Sequence, residues 1–225
     1  MFTAKFQSWI RERAQRMARL LGGLPLTPNM VTVAGMLITF VAALLIGFRH
    51  LLLAAVVLTL AGSFDILDGA LARATKCSYP YGAFLDSTTD RCSEAAIYIG
   101  IAAYFTFHAQ PDWYTQLTAL GCLFALTGSF LVSYVRARAQ SLGFSCDSGF
   151  FARPERVVLT VVGLFFAHWL GDQILETVVL LLAGLTLLTT VQRINEVWKQ
   201  ARWQRRSRHR RALPPASGTE RMQSR

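Results

Sequence analysis

The chain has 225 residues, 53% of them hydrophobic and only 16% charged, and its formal net charge at pH 7 is +10. This is the length of one domain or one membrane bundle, and the apolar fraction is high for a water-soluble protein. The four cysteines form no CxxC pair and have no histidine at zinc-finger spacing, which argues against a zinc-binding module.

The amino-terminal segment is predicted to be an amphipathic helix. Apolar residues recur at helical spacing within residues 1–24, with arginines between them, which is typical of a helix lying on a membrane surface. An ordinary solvated first helix is the alternative. Thr27 and Pro28 then predict the start of the first membrane span, as an N-cap followed by proline in the first turn.

Six apolar stretches predict an all-α integral membrane protein with six transmembrane helices, and residues 25–198 form this membrane domain. The stretches approach the roughly 20 residues that cross a bilayer. They cover residues 30–48, 52–72, 84–107, 116–136, 155–170 and 173–192.

The distribution of positive charge predicts the orientation. With six spans, both termini lie on one side, and every lysine and arginine except Arg49 falls there. The positive-inside rule makes this side cytoplasmic, in a multi-pass protein of the cell membrane. The net charge is therefore a signal of topology and of a lipid surface, and no nucleic-acid partner is expected. The basic segment 199–225 is predicted to be a disordered tail, resting on anionic lipid.

Four carboxylates stand out within 26 residues of otherwise apolar sequence. Asp65 and Asp68 are spaced i,i+3 at the end of the second span, and Asp86 and Asp90 are spaced i,i+4 at the start of the third. Direct antiparallel packing of these two helices is expected to bring the four together. Oxygen ligands suit Mg²⁺ or Mn²⁺, and no histidine lies near enough to suggest zinc.

The residues around the acids leave two interpretations open. Gly69, Ala72 and Gly82 either permit close helix packing or leave space for a nucleotide, and Arg73 is placed to meet a phosphate. Asn29 either contacts the nucleotide or caps the first span. Glu94, one turn beyond Asp90, either orients a site residue or pairs with an arginine of a neighbouring helix. Spacing alone does not decide between these interpretations.

Together these residues resemble a known signature. The pattern Asp65-x2-Asp68-Gly69-x2-Ala72-Arg73-x8-Gly82-x3-Asp86-x3-Asp90 matches that of the CDP-alcohol phosphatidyltransferases at all eight positions. The resemblance implies two divalent ions held by the four aspartates and a CDP-diacylglycerol whose pyrophosphate lies on them. Asp90 is implied to be the general base that deprotonates the acceptor hydroxyl, with CMP released. A homodimer is also implied.

The acceptor is predicted from arginines further along the chain. The segments Ser133–Arg138, Arg153–Arg156 and Gln192–Arg193 resemble those of the family branch that uses inositol 1-phosphate. The resemblance implies contacts to the acceptor phosphate by Ser133, Arg136, Arg138, Arg153 and Arg193. Arginine suits this role because it can hold phosphate with two hydrogen bonds.

Simpler explanations and other functions stay open at this point. Positive-inside anchoring accounts for some of these arginines, and Arg156 is expected to face lipid headgroups or to pair with Glu155. The predicted function is transfer of a phosphatidyl group to inositol 1-phosphate, a phosphorylated polyol. The alternatives are transfer to glycerol 3-phosphate and, more distantly, a non-enzymatic divalent-cation carrier.

Overall fold

The structure is a computed structural model that describes residues 27–75, 80–108, 112–146, 151 and 153–212, without the side chains of 72–75 and 207–212. The predicted amphipathic helix in residues 1–24 lies outside these residues. Within them all regular secondary structure is helical, as predicted. The helices are α1 (Pro28–Gly47), α2 (Leu51–Thr75), α3 (Pro80–Phe107), α4 (Trp113–Ser141), α5 (Arg153–Leu170) and α6 (Asp172–Ala212).

Within the described residues, four helices are long and apolar enough to cross a membrane, which indicates a multi-pass membrane protein. They are α1, the Leu51–Leu71 part of α2, α4, and the Asp172–Arg206 part of α6. Helices α3 and α5 correspond to predicted spans, but both carry several charged residues near their amino-terminal ends. The prediction that α3 and α5 also cross the membrane therefore rests on the sequence and on their position in the helix bundle.

Side-chain caps fix where two of these helices begin. The Thr27 hydroxyl accepts a hydrogen bond from the Met30 amide at 3.3 Å, and Pro28 occupies the first turn of α1, as the sequence predicted. The Asp112 carboxylate caps α4 by accepting from the Thr115 amide at 2.8 Å. This hydrogen bond holds the pKa of Asp112 below its ordinary value. Thr27, and not Asn29, is thus the capping residue of α1.

The six helices form a closed ring in which each packs mainly on two neighbours. The order around the ring is α1, α2, α5, α6, α4, α3 and back to α1. The chain order is therefore not the spatial order. In particular α2 and α3 both pack on α1 and share at most a marginal backbone contact, so the expected direct packing of α2 on α3 is wrong. The gap between their ends is where the acidic residues face one another.

A very close crossing holds α1 against α3. A methyl group added at Gly100 would come within 2.4 Å of the Ala43 carbonyl oxygen, so only glycine lets the two backbones approach this far. Apolar side chains from all six helices fill the ring, among them Ile46, Tyr104 and Leu182. This packing fixes α3 relative to α1 and so determines where the α3 acids lie.

The last helix is longer than predicted. With 41 residues, α6 spans about 60 Å, twice the roughly 30 Å of a bilayer core. Residues 199–212, assigned above to a disordered tail, continue this helix, so the tail boundary at residue 199 is wrong. Gln200 ties the extension to the α4–α5 segment, because its side-chain amide donates to the Ser145 carbonyl at 2.7 Å and its amide oxygen accepts from the Ser145 amide at 3.2 Å.

A hydrogen bond between α3 and α6 closes the end of the ring away from the acids. The buried Tyr104 hydroxyl donates to the Asp172 carboxylate at 2.5 Å, across 68 residues of chain. Hydrogen bonds to charged groups contribute about 1.5–3 kcal/mol. This contact therefore stabilises the junction of two helices that the ring order keeps apart.

We expect Tyr104→Phe to lower the melting temperature of the purified protein in detergent, because Asp172 loses its donor while the aromatic packing is kept. Thermal unfolding followed by size-exclusion chromatography measures this. Tyr134→Phe is the matched control, since Tyr134 is 64% exposed. Equal melting temperatures for the two variants would contradict a stabilising role of the Tyr104 hydroxyl.

Candidate active site

The four aspartates lie on the facing ends of α2 and α3, next to the α2–α3 connection. Asp68 is buried, Asp65 and Asp90 are partly buried, and Asp86 is exposed. The carboxylates are close enough to repel one another: Asp65 and Asp86 both act on Asp68 and on Asp90. The structure thus brings the predicted acidic residues together, across a gap bordered by α1 and α5.

An arginine of α5 bridges the two halves of this acidic group. One terminal nitrogen of Arg153 donates to Asp65 Oδ2 and also lies 2.6 Å from Asp90 Oδ1. The same nitrogen therefore contacts one acid from α2 and one from α3. Arg153, which was predicted to contact the acceptor phosphate, contacts these carboxylates in the structure, and its phosphate role stays a prediction.

Asp68 is held from a different direction. The Thr32 hydroxyl of α1 donates to Asp68 Oδ2 at 2.7 Å, in a buried position. Thr32 was not predicted as a site residue, because nothing in the sequence shows which helix its side chain would meet. Its only local signal is its position one turn after Pro28, whose carbonyl oxygen lies 3.1 Å from the same hydroxyl.

A second ion pair lies buried next to the acids. Arg156 of α5 is 2% exposed, and its Nε and Nη2 atoms lie 2.8 and 2.7 Å from Glu94 Oε1 of α3. Arg156 also donates to the Phe151 carbonyl at 3.1 Å. The expectation that Arg156 faces lipid headgroups or pairs with Glu155 is therefore wrong. The interpretation of Glu94 as the partner of an arginine on a neighbouring helix is confirmed.

The other predicted acceptor residues lie along the ends of α4 and α6. Arg193 is buried and donates to the Val132 carbonyl at 2.7 Å, which joins α6 to α4. The charges of Arg136 of α4 and Arg156 of α5 both act on Arg193 of α6, so the three guanidinium groups are near enough to influence one another. Ser133 donates to the Ser129 carbonyl within α4, and Arg138 is exposed and contacts Ser141.

The predicted nucleotide-binding residues are only partly described. A methyl group added at Gly82 would lie 3.3 Å from the Asn29 amide oxygen, so the starts of α1 and α3 meet beside the acids. Gly69 follows Asp68 in α2. The side chains of Ala72 and Arg73 lie outside the part of the chain that the structure describes, and their roles stay predictions.

The donor atoms of the acidic group fit a hard divalent ion. All four side chains offer carboxylate oxygens, which Mg²⁺ and Mn²⁺ prefer, and a guanidinium already lies between two of them. Across the ranges described, however, no three acidic, histidine or cysteine side chains form a ready-made cage. Binding an ion would require these carboxylates to converge further.

Comparisons with known proteins show the family to which this chain belongs. The sequence model of the CDP-alcohol phosphatidyltransferase family matches residues 25–197. A phosphatidylinositol phosphate synthase of Mycobacteroides abscessus is 35% identical over 76% of this chain and 77% of its own length. An archaetidylinositol phosphate synthase of Methanothermobacter thermautotrophicus is also 35% identical, over 78% of this chain and 85% of its own.

Solved structures show the same fold. The structure of Mycobacterium tuberculosis phosphatidylinositol phosphate synthase with CDP-DAG bound matches with a TM-score of 0.75 and 33% identity, over 82% of this chain and 93% of that one. A second structure of that enzyme, in complex with manganese and citrate, matches with the same TM-score over 88% of its chain. The chain is therefore a member of the CDP-alcohol phosphatidyltransferase family.

Proposed function

We propose that this enzyme transfers the phosphatidyl group of CDP-diacylglycerol to the hydroxyl of inositol 1-phosphate and releases CMP. The observation that carries the choice of acceptor is that α4, α5 and α6 each contribute an arginine: Arg136 and Arg193, whose charges interact, and Arg153, which contacts Asp65 and Asp90. A phosphorylated acceptor needs such a positive group, and a neutral alcohol does not. The names of the most similar relatives support the same acceptor class.

The acidic group would carry out the chemistry. Asp65, Asp68, Asp86 and Asp90 would hold two divalent ions, Mg²⁺ or Mn²⁺, which supply positive charge to the pyrophosphate when bound. Asn29, Gly69, Ala72, Arg73 and Gly82 would line the place of the CDP group. Manganese in the solved structure of a relative supports the choice of ion.

The proton transfer is proposed for Asp90. Its carboxylate would accept the proton of the acceptor hydroxyl, and the resulting oxygen would attack the phosphorus on the lipid side of the pyrophosphate. The bond from that phosphorus to the CMP oxygen breaks, and CMP leaves with the bonding pair. Ser133, Arg136, Arg138, Arg153 and Arg193 would hold the acceptor phosphate during this step.

The proposed setting is the cell membrane, with six spans, the site on the cytoplasmic side, and a homodimer as the assembly. The supporting observation is the side on which the positive charge falls. In that orientation the acids, the arginine group and the basic extension of α6 would all lie on the cytoplasmic side. The non-enzymatic carrier alternative is set aside because the chain belongs to a family of transferases.

We expect the purified enzyme, given CDP-diacylglycerol and Mg²⁺, to release CMP at least tenfold faster with inositol 1-phosphate than with glycerol 3-phosphate. Measuring CMP against time with each acceptor at equal concentration tests this. Free inositol is the control for the phosphate, and we expect it to be a poor acceptor because the arginines lose their anionic partner. Faster release with glycerol 3-phosphate would instead make the protein a phosphatidylglycerophosphate synthase.

Asp90→Asn is expected to lower kcat by about 10²–10⁴-fold, the usual contribution of a general base, while CDP-diacylglycerol still binds. Turnover and binding of the CDP-lipid are measured separately. Glu155→Gln makes the same change of charge at an exposed position of α5 and is expected to leave kcat near wild type. Turnover of Asp90→Asn at the wild-type rate would rule out the base assignment.

Thr32→Val is expected to raise the Mg²⁺ concentration needed for half-maximal turnover about tenfold or more, because Asp68 loses the hydroxyl that orients it. Thr32→Ser keeps the donor and is expected to restore most of the affinity. Mg²⁺ titrations of CMP release, together with Mn²⁺ binding to the protein alone, test both variants. If Thr32→Val and Thr32→Ser behave alike, the hydroxyl does not position Asp68.

A further inference from the structure

We infer that Arg153 is an exchangeable counter-ion: it neutralises Asp65 and Asp90, is displaced when a divalent ion binds them, and then becomes available to the acceptor phosphate. This inference rests on the proposed function and concerns the same site. It assigns Arg153 a positioning role in which ion binding and acceptor binding are coupled. If Arg153 were only a phosphate contact, its removal would leave ion binding unchanged.

The first step is that Arg153 and a divalent ion need the same oxygens. The Arg153 terminal nitrogen contacts Asp65 Oδ2 and lies 2.6 Å from Asp90 Oδ1, so its positive charge lies between the two carboxylates. An ion ligated by these carboxylates would lie within a few ångströms of the guanidinium. Like charges at that distance repel strongly in a partly buried site. The two cations therefore compete for one position.

The second step is that Arg153 bridges Asp65 and Asp90, whereas Arg91, which also lies beside Asp90, does not. Arg91 lies 3.5 Å from Asp90 Oδ2, and among the described residues it forms no ion pair with Asp65. Its guanidinium is also more exposed than that of Arg153. Because α2 and α3 scarcely touch, a cation that reaches both acids links two helix ends that have little other contact. Arg91 contributes positive charge near Asp90 without this geometry.

The third step is that Arg153 is incompletely satisfied where it lies. Within the part of the chain that the structure describes, its Nε atom is buried without a hydrogen-bond partner, and so is Glu94 Oε2. Both residues line a cavity of about 20 Å³, together with Thr39 and Ser93. Such a cavity holds about one water molecule, since roughly 10–15 Å³ is needed. The guanidinium is therefore not held by a full set of hydrogen bonds at the carboxylates, and a water molecule fits beside it.

The fourth step is the destination of the displaced side chain. Arg153 and Arg156 are three residues apart on α5 and share one face of the helix. Arg156 in turn lies close enough to Arg193 for their charges to interact. A guanidinium released from the acids stays beside these arginines, where an anionic phosphate is the natural counter-ion. Because coupling between two ligands is reciprocal, the ion and the acceptor phosphate are each expected to strengthen the binding of the other.

The test is Mn²⁺ binding to the purified full-length protein, measured by calorimetry with no CDP-lipid and no acceptor. Removal of the competing cation predicts at least tenfold tighter Mn²⁺ binding for Arg153→Gln than for wild type. Arg91→Gln is the matched control, since it removes one equal charge that contacts Asp90 alone, and a change below threefold is expected. Arg153→Lys keeps the charge and folds with the smallest change of structure; its affinity is expected to lie between those of wild type and Arg153→Gln.

A second measurement tests whether binding of the ion and binding of the acceptor are coupled. Inositol 1-phosphate is titrated with and without Mn²⁺, and Mn²⁺ is expected to tighten its binding more in wild type than in Arg153→Gln. Direct contact between phosphate and Mn²⁺ persists in the variant, so the difference isolates Arg153.

Two results would overturn the inference: unchanged or weaker Mn²⁺ binding in both Arg153 variants, or an equal gain in Arg91→Gln, which would mean that net charge alone matters. The Mn²⁺ titration contains no acceptor. It therefore gives the same answer if the enzyme proves to use glycerol 3-phosphate, and failure of the proposed function can be told apart from failure of this inference.

Discussion

The electrostatic balance of four carboxylates at the ends of two apolar helices constrains the rest of this structure. A charged carboxylate in a membrane helix costs roughly 2.5–3.5 kcal/mol on insertion scales, and carboxylates near one another add mutual repulsion. The site therefore needs positive charge close by. Helix α5 supplies it twice, through Arg153 on Asp65 and Asp90 and through Arg156 on the buried Glu94.

The ring of helices explains how α5 reaches the acids. Because α5 packs on α2, and α1 lies between α2 and α3, the ends of α2 and α3 are held apart and α5 can extend its first turn into the gap. The close crossing at Gly100 fixes α3 against α1, and the Tyr104–Asp172 hydrogen bond ties α3 to the start of α6. A rigid bundle thus supports a site whose carboxylates can still move towards an ion.

The proposed function separates two tasks between two kinds of charge. The aspartates of α2 and α3 would hold divalent ions, and through them the pyrophosphate of the CDP-lipid, whereas the arginines of α4, α5 and α6 would hold the acceptor phosphate. Arg153 lies at the boundary between these two groups of charges. Its position is the basis for the proposed coupling between binding of the ions and binding of the acceptor.

The sequence alone determined the helices, the acidic motif and the family. Apolar length predicts spans, Thr27 and Pro28 mark a helix start, and eight residues at fixed spacing identify the chemistry, because all of these are local patterns. Only the tertiary structure decided the partners. Arg153 meets Asp65 across 88 residues, Arg156 meets Glu94 across 62, and Thr32 meets Asp68 across 36. Helical periodicity shows which face a side chain occupies, but it carries no information about which helix packs on that face. The ring order places α5 beside α2 and keeps the ends of α2 and α3 apart, so that packing of the whole bundle settled those contacts.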